Sequence, residues 1–415
     1  MSEAVTTVTA DSPRALPLRA VLLGGLSTRL LVDTANQLFN PFLAVFAAGL
    51  GTSVVTMGAL VSVRSIVGIT GPVLGAWSDR IGYMAMMRVG LLSVAAGLLL
   101  FGISPSVWLA ALAMLPMGVG IAIFTPSLQA YASERLTYAT RARGLGILEY
   151  AWALAGIVGL SLAGLVIAGV GWRAPFPILA LLLFLAFLLS LRLPPVITPA
   201  RSELGRSQGA PASLRSFFDL GPTARSAWSS IAIVGLSFFG MMNVIIIHGA
   251  WLQGAFGLSV TQLGGLALLL GLADLAGSSL VSLVGDIFGK RRGVLAGVSL
   301  CLVGYLALPL VVGSALSAVV ALAVLRFLMQ VAYVSNVPLL SEQVPRQRGK
   351  VMAFGLATGQ VGMAAAGLTG PWAYLTFGVS GLGIISAAAM VVALIITIVW
   401  LREVPQVPAA TGGSV

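Results

Sequence analysis

Six charged residues fall inside long apolar runs: Arg29, Asp33, Arg64, Glu149, Asp274 and Arg326. A charge in hydrocarbon costs several kcal/mol unless it is paired or wetted. The six are three of each sign, which suggests pairing. Asp33 and Glu149 are carboxylates in apolar surroundings, a setting that favours the protonated form and lets a group carry a proton near neutral pH. Arginine does not deprotonate, so it can contact anions or hold a carboxylate but cannot carry the proton. The first candidate chemistry is therefore proton binding at Asp33 or Glu149. The second is recognition of an anion by Arg29 and Arg64.

Asp33 sits in the stretch "RLLVDTANQLFNPF" (29–42). At about 100° per residue, Arg29, Asp33, Gln37 and Asn40 share a helical sector of roughly 80°, and Asn36 flanks it. The stripe extends past a simple i,i+4 ion pair, as one polar wall of a cavity would. Asn40-Pro41 should weaken the helix near its outer end. Arg64 lies mid-span on the next helix and could reach Asp33 from there. In the second half, Asp274 and Arg326 can pair, and a purely structural ion pair is the plainer reading. His248 is the only histidine, with Asn243 more than a turn away; both could line the cavity. Gln129, Tyr131, Gln330 and Asn336 are further polar positions.

The elements that must carry these residues are membrane helices. The chain has 415 residues, 58% hydrophobic and 8% charged, too little charge to cover a soluble surface. Apolar runs of about 20 residues recur, each able to cross roughly 30 Å of hydrocarbon as a helix. Twelve are expected, at 18–48, 54–77, 83–103, 107–131, 144–170, 174–191, 228–254, 262–284, 293–312, 318–340, 350–375 and 381–401. The fold class is all-α integral membrane, with two pseudo-symmetric six-helix bundles at 18–191 and 228–401. A tail at 1–17, a Pro/Ser/Gly/Arg-rich linker at 192–227 and a tail at 402–415 complete the chain. The tail at 1–17 is polar and lacks a small-residue cleavage site, so the first span reads as a retained helix.

Of 23 Lys and Arg residues, three lie within spans and only Arg173 follows an odd-numbered span. The other 19 lie in tails, in loops after even-numbered spans or at the adjoining span ends. This bias places both termini in the cytoplasm, and it explains the net charge of +11 without nucleic acid. Arginine outnumbers lysine 21 to 2, which points to a GC-rich bacterial genome and so to a bacterial inner membrane. One cysteine and one histidine cannot build a metal site. "GDIFGKRR" (285–292) lacks the spacing of a phosphate cradle, and no nucleophile–base set stands at one depth. No enzyme, cofactor or metal is expected, and energy must come from an ion gradient or the substrate's own.

The halves resemble each other. "FAAGLGTS" (46–53) matches "GAFGLSVT" (254–261) at an offset of 208, and "SERLTYATRARG" (133–144) resembles "SEQVPRQRG" (341–349). "GAWSDRIGYMAMMR" (75–88) and "VGDIFGKRR" (284–292) both have Asp, Gly three residues on, and basic residues. Gly75, Asp79, Arg80 and Gly82, followed by Arg88, fit a G-x-x-x-D-R-x-G loop signature. Asp286, Gly289, Lys290, Arg291 and Arg292 form the second copy. On these motifs the chain resembles the major facilitator superfamily, over nearly its whole length.

The resemblance implies a central cavity lined by spans one, four, seven and ten, with halves that rock for alternating access. The loop charges then read as a latch between bundles, formed in one state and broken in the other. In the drug–proton antiporter subgroup, span four carries an arginine where this chain has Met114. The span-five motif of that subgroup has a proline that is lacking in Ala155–Gly164. The expected function is a monomeric secondary transporter of a small organic molecule, with protons as coupling ion and efflux of an amphipathic, drug-like compound as the leading direction. The alternatives are uptake of an organic anion read by Arg29 and Arg64, or a non-transport membrane sensor.

Overall fold

The computed structural model describes residues 18–71, 73, 74, 77, 81–136, 138–192, 218–344 and 348–403. Every regular element among them is helical. In the first half these are α1 (Leu18–Gln37), α2 (Phe39–Gly49), α3 (Val54–Gly68), α4 (Tyr83–Gly102), α5 (Val107–Arg135), α6 (Tyr138–Leu154), α7 (Ser161–Val170) and α8 (Pro175–Ser190). A π-helical turn, Ala155–Leu160, joins α6 to α7. In the second half they are α9 (Ala224–Ile245), α10 (His248–Phe256), α11 (Val260–Phe288), α12 (Lys290–Val311), α13 (Ala315–Glu342) and α14 (Arg348–Val399). Eight helical stretches among the described residues are long and apolar enough to cross a membrane. Shorter apolar helices are Phe39–Gly49, Val54–Gly68 and Pro175–Ser190. Helix is the form an apolar chain must take in lipid, because it satisfies each backbone group within its own segment.

Positions about 208 apart do the same structural work. Ser106 and Ser314 each cap a helix start, accepting from Leu109 N at 3.4 Å and Ser317 N at 3.2 Å. Gly82 and Gly289 precede α4 and α12 with φ of 104° and 83°, a backbone shape that favours glycine. The first helix of each half is broken: α1 gives way to α2 at Leu38, and α9 to α10 at 246–247. The first break has a visible cause. Pro41 has no N–H to continue the ladder, and Phe42 is non-helical at φ −108°, ψ 18°. α14 reverses at Gly378, where φ is 63°. Thr369 bonds Asn243 and Ser386 bonds the Gly240 carbonyl, so two segments on either side of that reversal meet one turn of α9.

The halves touch along one end of the molecule, the far face, opposite the start of α1. The Pro41 carbonyl lies so close to Gly249 that any side chain at 249 would collide with it. The two positions are repeat equivalents at the same offset of 208. Gly58 meets the Gly367 carbonyl, and Ser62 donates to the Ala364 carbonyl at 2.7 Å. Gly164 lies against Gly264, and Ser161 donates to the Gly264 carbonyl at 3.1 Å. Small residues allow this close approach. Towards the near face the contacts thin out: a side chain at Gly24 or Gly71 would meet nothing, and Glu149 is half exposed.

Candidate functional site

The polar stripe on α1 faces α6. A side chain at Gly159 would overlap Thr34, so glycine there lets the π-turn lie directly against α1. Within that contact, the Arg29 guanidinium donates to both Glu149 carboxylate oxygens at 2.7 Å each. This bidentate geometry is the strongest form of such a pair. Arg29 Nε also stands 3.5 Å from Asp33 Oδ2 one turn along, without hydrogen-bond geometry. Gln129 of α5 donates to Glu149 Oε1 at 2.7 Å. The Arg29 and Asp33 side chains are 7% and 6% exposed, against 54% for Glu149. Glu149 thus stands at an open mouth, with the buried pair behind it.

Arg64 does not pair with Asp33, contrary to the sequence expectation. It donates to the Asn36 carbonyl at 2.8 Å and lies 5.3 Å from the Phe39 ring centroid. The reason is the helix break: α1 ends at Gln37, and a cation is favoured at a helix C-terminus. Asn40 is 9% exposed on α2, and Gln37 donates to the Trp152 carbonyl at 3.0 Å.

In the second half, Arg326 of α13 pairs with Asp274 of α11. Their side chains are 7% and 4% exposed, and Arg326 Nη1 lies 3.8 Å from Met241 Sδ. Arg326 Nε has no hydrogen-bond partner among the described residues. His248, on α10, bonds the Ile245 carbonyl through Nδ1, and its Nε2 is buried without a partner among them. Asn243 donates to the Phe239 carbonyl at 2.8 Å and accepts from Thr369 at 2.7 Å, so it ties α9 to α14. Asn336 exchanges two hydrogen bonds with Ser230, and Gln330 donates to Ser278 at 2.8 Å.

Two aromatic residues, Trp152 and Tyr333, lie near the seam between the halves. The Ala153 carbonyl, next to Trp152, lies against Gly271 of α11, one turn before Asp274. Tyr333 of α13 lies within electrostatic range of Arg29 and Glu149. In the sequence Trp152 is visible only as a neighbour of Glu149, and Tyr333 gives no signal.

The family model described as Major Facilitator Superfamily matches residues 26–248 and 230–414. The chain belongs to the major facilitator superfamily. It is thus a multi-pass membrane transporter by family. The MFS-type transporter YceJ of Bacillus subtilis (strain 168), itself uncharacterized, is 26% identical over 288 residues, 68% of this chain and 71% of that protein. Multidrug resistance protein 1 of the same organism is 26% identical over 215 residues, 51% of this chain and 52% of its own length. The crystal structure of a D-xylose-proton symporter shares the fold at TM-score 0.75 and 17% identity, covering 93% of this chain and 98% of that one. A peptide transporter POT in complex with sulfate gives 0.71 at 14% identity, covering 91% and 93%.

The superfamily loop signature is described in part. Gly75, Asp79 and Arg80 lie outside the described residues, as does the Asp286 side chain. Arg88 donates to the Ser190 carbonyl at 2.7 Å. Arg291 donates to the carbonyls of Leu401 at 2.8 Å, Thr397 at 3.2 Å and Ile398 at 3.1 Å. Each arginine therefore caps the carbonyl end of the last helix of its own half, and among the described residues neither has a hydrogen bond to the other half. Lys290 pairs with Glu342 at 2.5 Å, again within one half, and Arg292 follows on the same helix.

Proposed function

We propose that this transporter is proton-coupled and exports an amphipathic, drug-like organic molecule. It works as a monomer, by alternating access between two six-helix bundles of twelve spans in all. The observation that carries this reading is the Arg29 cluster, where two carboxylates, Glu149 and Asp33, share one guanidinium. Fully ionised, the cluster has a surplus negative charge next to a half-exposed mouth. A proton or a cationic group of the substrate can neutralise that charge, and competition between the two is the minimum a coupled exchanger needs. The printed name of one relative, a multidrug resistance protein, supports export of drug-like compounds. The positive-inside bias supports cytoplasmic termini in a bacterial inner membrane; on that reading the near face is cytoplasmic and the conformation inward-facing.

The test is proton flux in proteoliposomes with ethidium as a cationic probe. Wild type should move ethidium against an imposed pH gradient, and Asp33→Asn should abolish the gradient dependence. If both proteins move the dye regardless of the gradient, proton coupling is wrong. A second reading, uptake of an organic anion, draws on Arg64, which is 3% exposed and has a carbonyl and a ring as partners rather than a carboxylate. Loss of transport in Arg64→Gln for benzoate-like anions alone would favour it.

A further inference from the structure

On the twelve-span reading, the far-face loops are 49–53, 104–106, 171–173, 255–261, 313–317 and 376–380, and together they hold one charge of either sign, Arg173. Basic residues are normally kept off the side away from the cytoplasm, so a lone arginine there calls for a physical reason.

Part of the reason is local. Arg173 Nε donates to the Gly102 carbonyl at 3.1 Å, and Nη2 donates to the Ser104 carbonyl at 3.0 Å. These carbonyls finish α4, where a cation is favoured. The guanidinium also lies 4.3 Å from the Trp172 ring centroid. Trp172 in turn presses on Gly49, the last residue of α2, where any side chain would overlap the indole. The corner ties α2, α4 and the α7–α8 turn together, and it fixes the plane of the guanidinium. Two of the five guanidinium donors are then used. Nη1 has no hydrogen bond among the described residues, and Arg173 is exposed.

Beside Arg173 lies a groove of about 460 Å³, within the size range of small-molecule sites. Its walls include Leu99 and Ile103 at the end of α4, Val170 at the end of α7 and Pro177 of α8. α4 and α8 pack within their own half, so this wall faces the bilayer and not the space between the halves. Leu99, Ile103 and Val170 are exposed apolar side chains that a lipid chain would cover.

We propose that this corner seats one phospholipid of the far-face leaflet: its phosphate accepts from Arg173 Nη1, and one acyl chain lies in the groove between α4 and α7. An apolar wall that ends in a fixed guanidinium matches a molecule that is apolar along its length and anionic at its head. Trp172 stands where head groups begin, as interfacial tryptophans do. Phosphatidylglycerol is preferred over phosphatidylethanolamine. An ammonium head group would bring a second cation to Arg173, and the far-face loops offer it no carboxylate.

The test uses phosphatidylglycerol with a photoactivatable diazirine in one acyl chain. It is a trace lipid in vesicles of phosphatidylethanolamine and phosphatidylglycerol that hold the full-length protein, and the labelled peptides are mapped after irradiation. Each variant is first checked for monodisperse elution. In wild type the label should collect on 99–103 and 170–177. It should fall about fivefold in Arg173→Gln, from the roughly 1 kcal/mol that one basic residue contributes at an anionic lipid surface. Val170→Trp fills the groove and leaves both carbonyl bonds of Arg173 in place, and it should cause a similar fall. Near-face peptides, whose basic loops meet the other leaflet, should keep their label in both variants and serve as the standard. The same diazirine on phosphatidylethanolamine should label the corner about fivefold less. Equal labelling by the two lipids, or undiminished labelling in either variant, would overturn the proposal. So would loss of the label in excess inorganic phosphate, which would make this a free-phosphate site.

Discussion

Arg29 has more partners than its neighbours can easily replace. Both the guanidinium and Asp33 are buried, and Glu149 supplies the strong contact from a half-exposed position. Removing the cation would leave Asp33 buried with no charge partner, which costs about 3–5 kcal/mol for such pairs. Arg29→Gln should therefore lower the unfolding temperature in detergent markedly, and Arg29→Gln with Asp33→Asn should recover most of the loss. Glu149→Gln should cost under about 1 kcal/mol, because an exposed partner is screened. If Glu149→Gln proves the more damaging change, the division of labour is reversed. Which residues carry charge in the site is readable from the sequence, since an arginine or carboxylate in an apolar run stands out. Who pairs with whom is not. Arg29 and Glu149 are 120 residues apart, and their contact depends on Gly159 admitting α1 to the π-turn. Arg64 is the instructive miss: its partner is a backbone carbonyl freed by the break after Gln37, and a backbone group has no residue type to read.

Each half opens with a helix broken in two, and the two breaks meet at Pro41 and Gly249. The first was legible, because proline removes a donor from the ladder. The second was not, because 246–247 holds two isoleucines; the offset of 208 alone points to it. The expected gap between 375 and 381 is the reversal at Gly378, and the π-turn at Ala155–Leu160 has no sequence signal beyond its glycines. The contact of Pro41 with Gly249 belongs to the state that is closed at the far face. A Cβ at 249 would push against backbone, which cannot rotate aside as a side chain can. Overpacking of this kind costs about 1–3 kcal/mol. Gly249→Val should bias the protein towards opening at the far face, seen as about ten- to hundredfold faster labelling of Asn40→Cys in a Cys301→Ser background. Unchanged labelling would show that this contact does not hold the far face shut.

At the scale of the whole molecule, two independent asymmetries have to agree. One is chemical: on the twelve-span reading of the sequence, all basic residues outside the spans except Arg173 fall on the side of the termini. The other is conformational: the halves pack together at the far face and part at the near face. The first could be read from the sequence because basic residues are held on the cytoplasmic side. The second could not, because both end states of a two-state protein share one sequence, and a small difference in contacts selects between them. Arg88 and Arg291 show how this matters. Their motif suggested a contact between halves, and among the described residues each caps a helix of its own half. Together the asymmetries say from which side the site can be reached. Gln129, which touches half-exposed Glu149, marks the mouth. A membrane-impermeant thiol reagent should label Gln129→Cys, with Cys301→Ser, in inverted membrane vesicles and leave it unlabelled in right-side-out cells. Labelling mainly from outside would mean that the charge bias or the open face is misassigned. A tagged C-terminus, tested for protease access in the same vesicles, tells which: if it is cleaved in inverted vesicles the orientation stands, and the open face is the one to reassign.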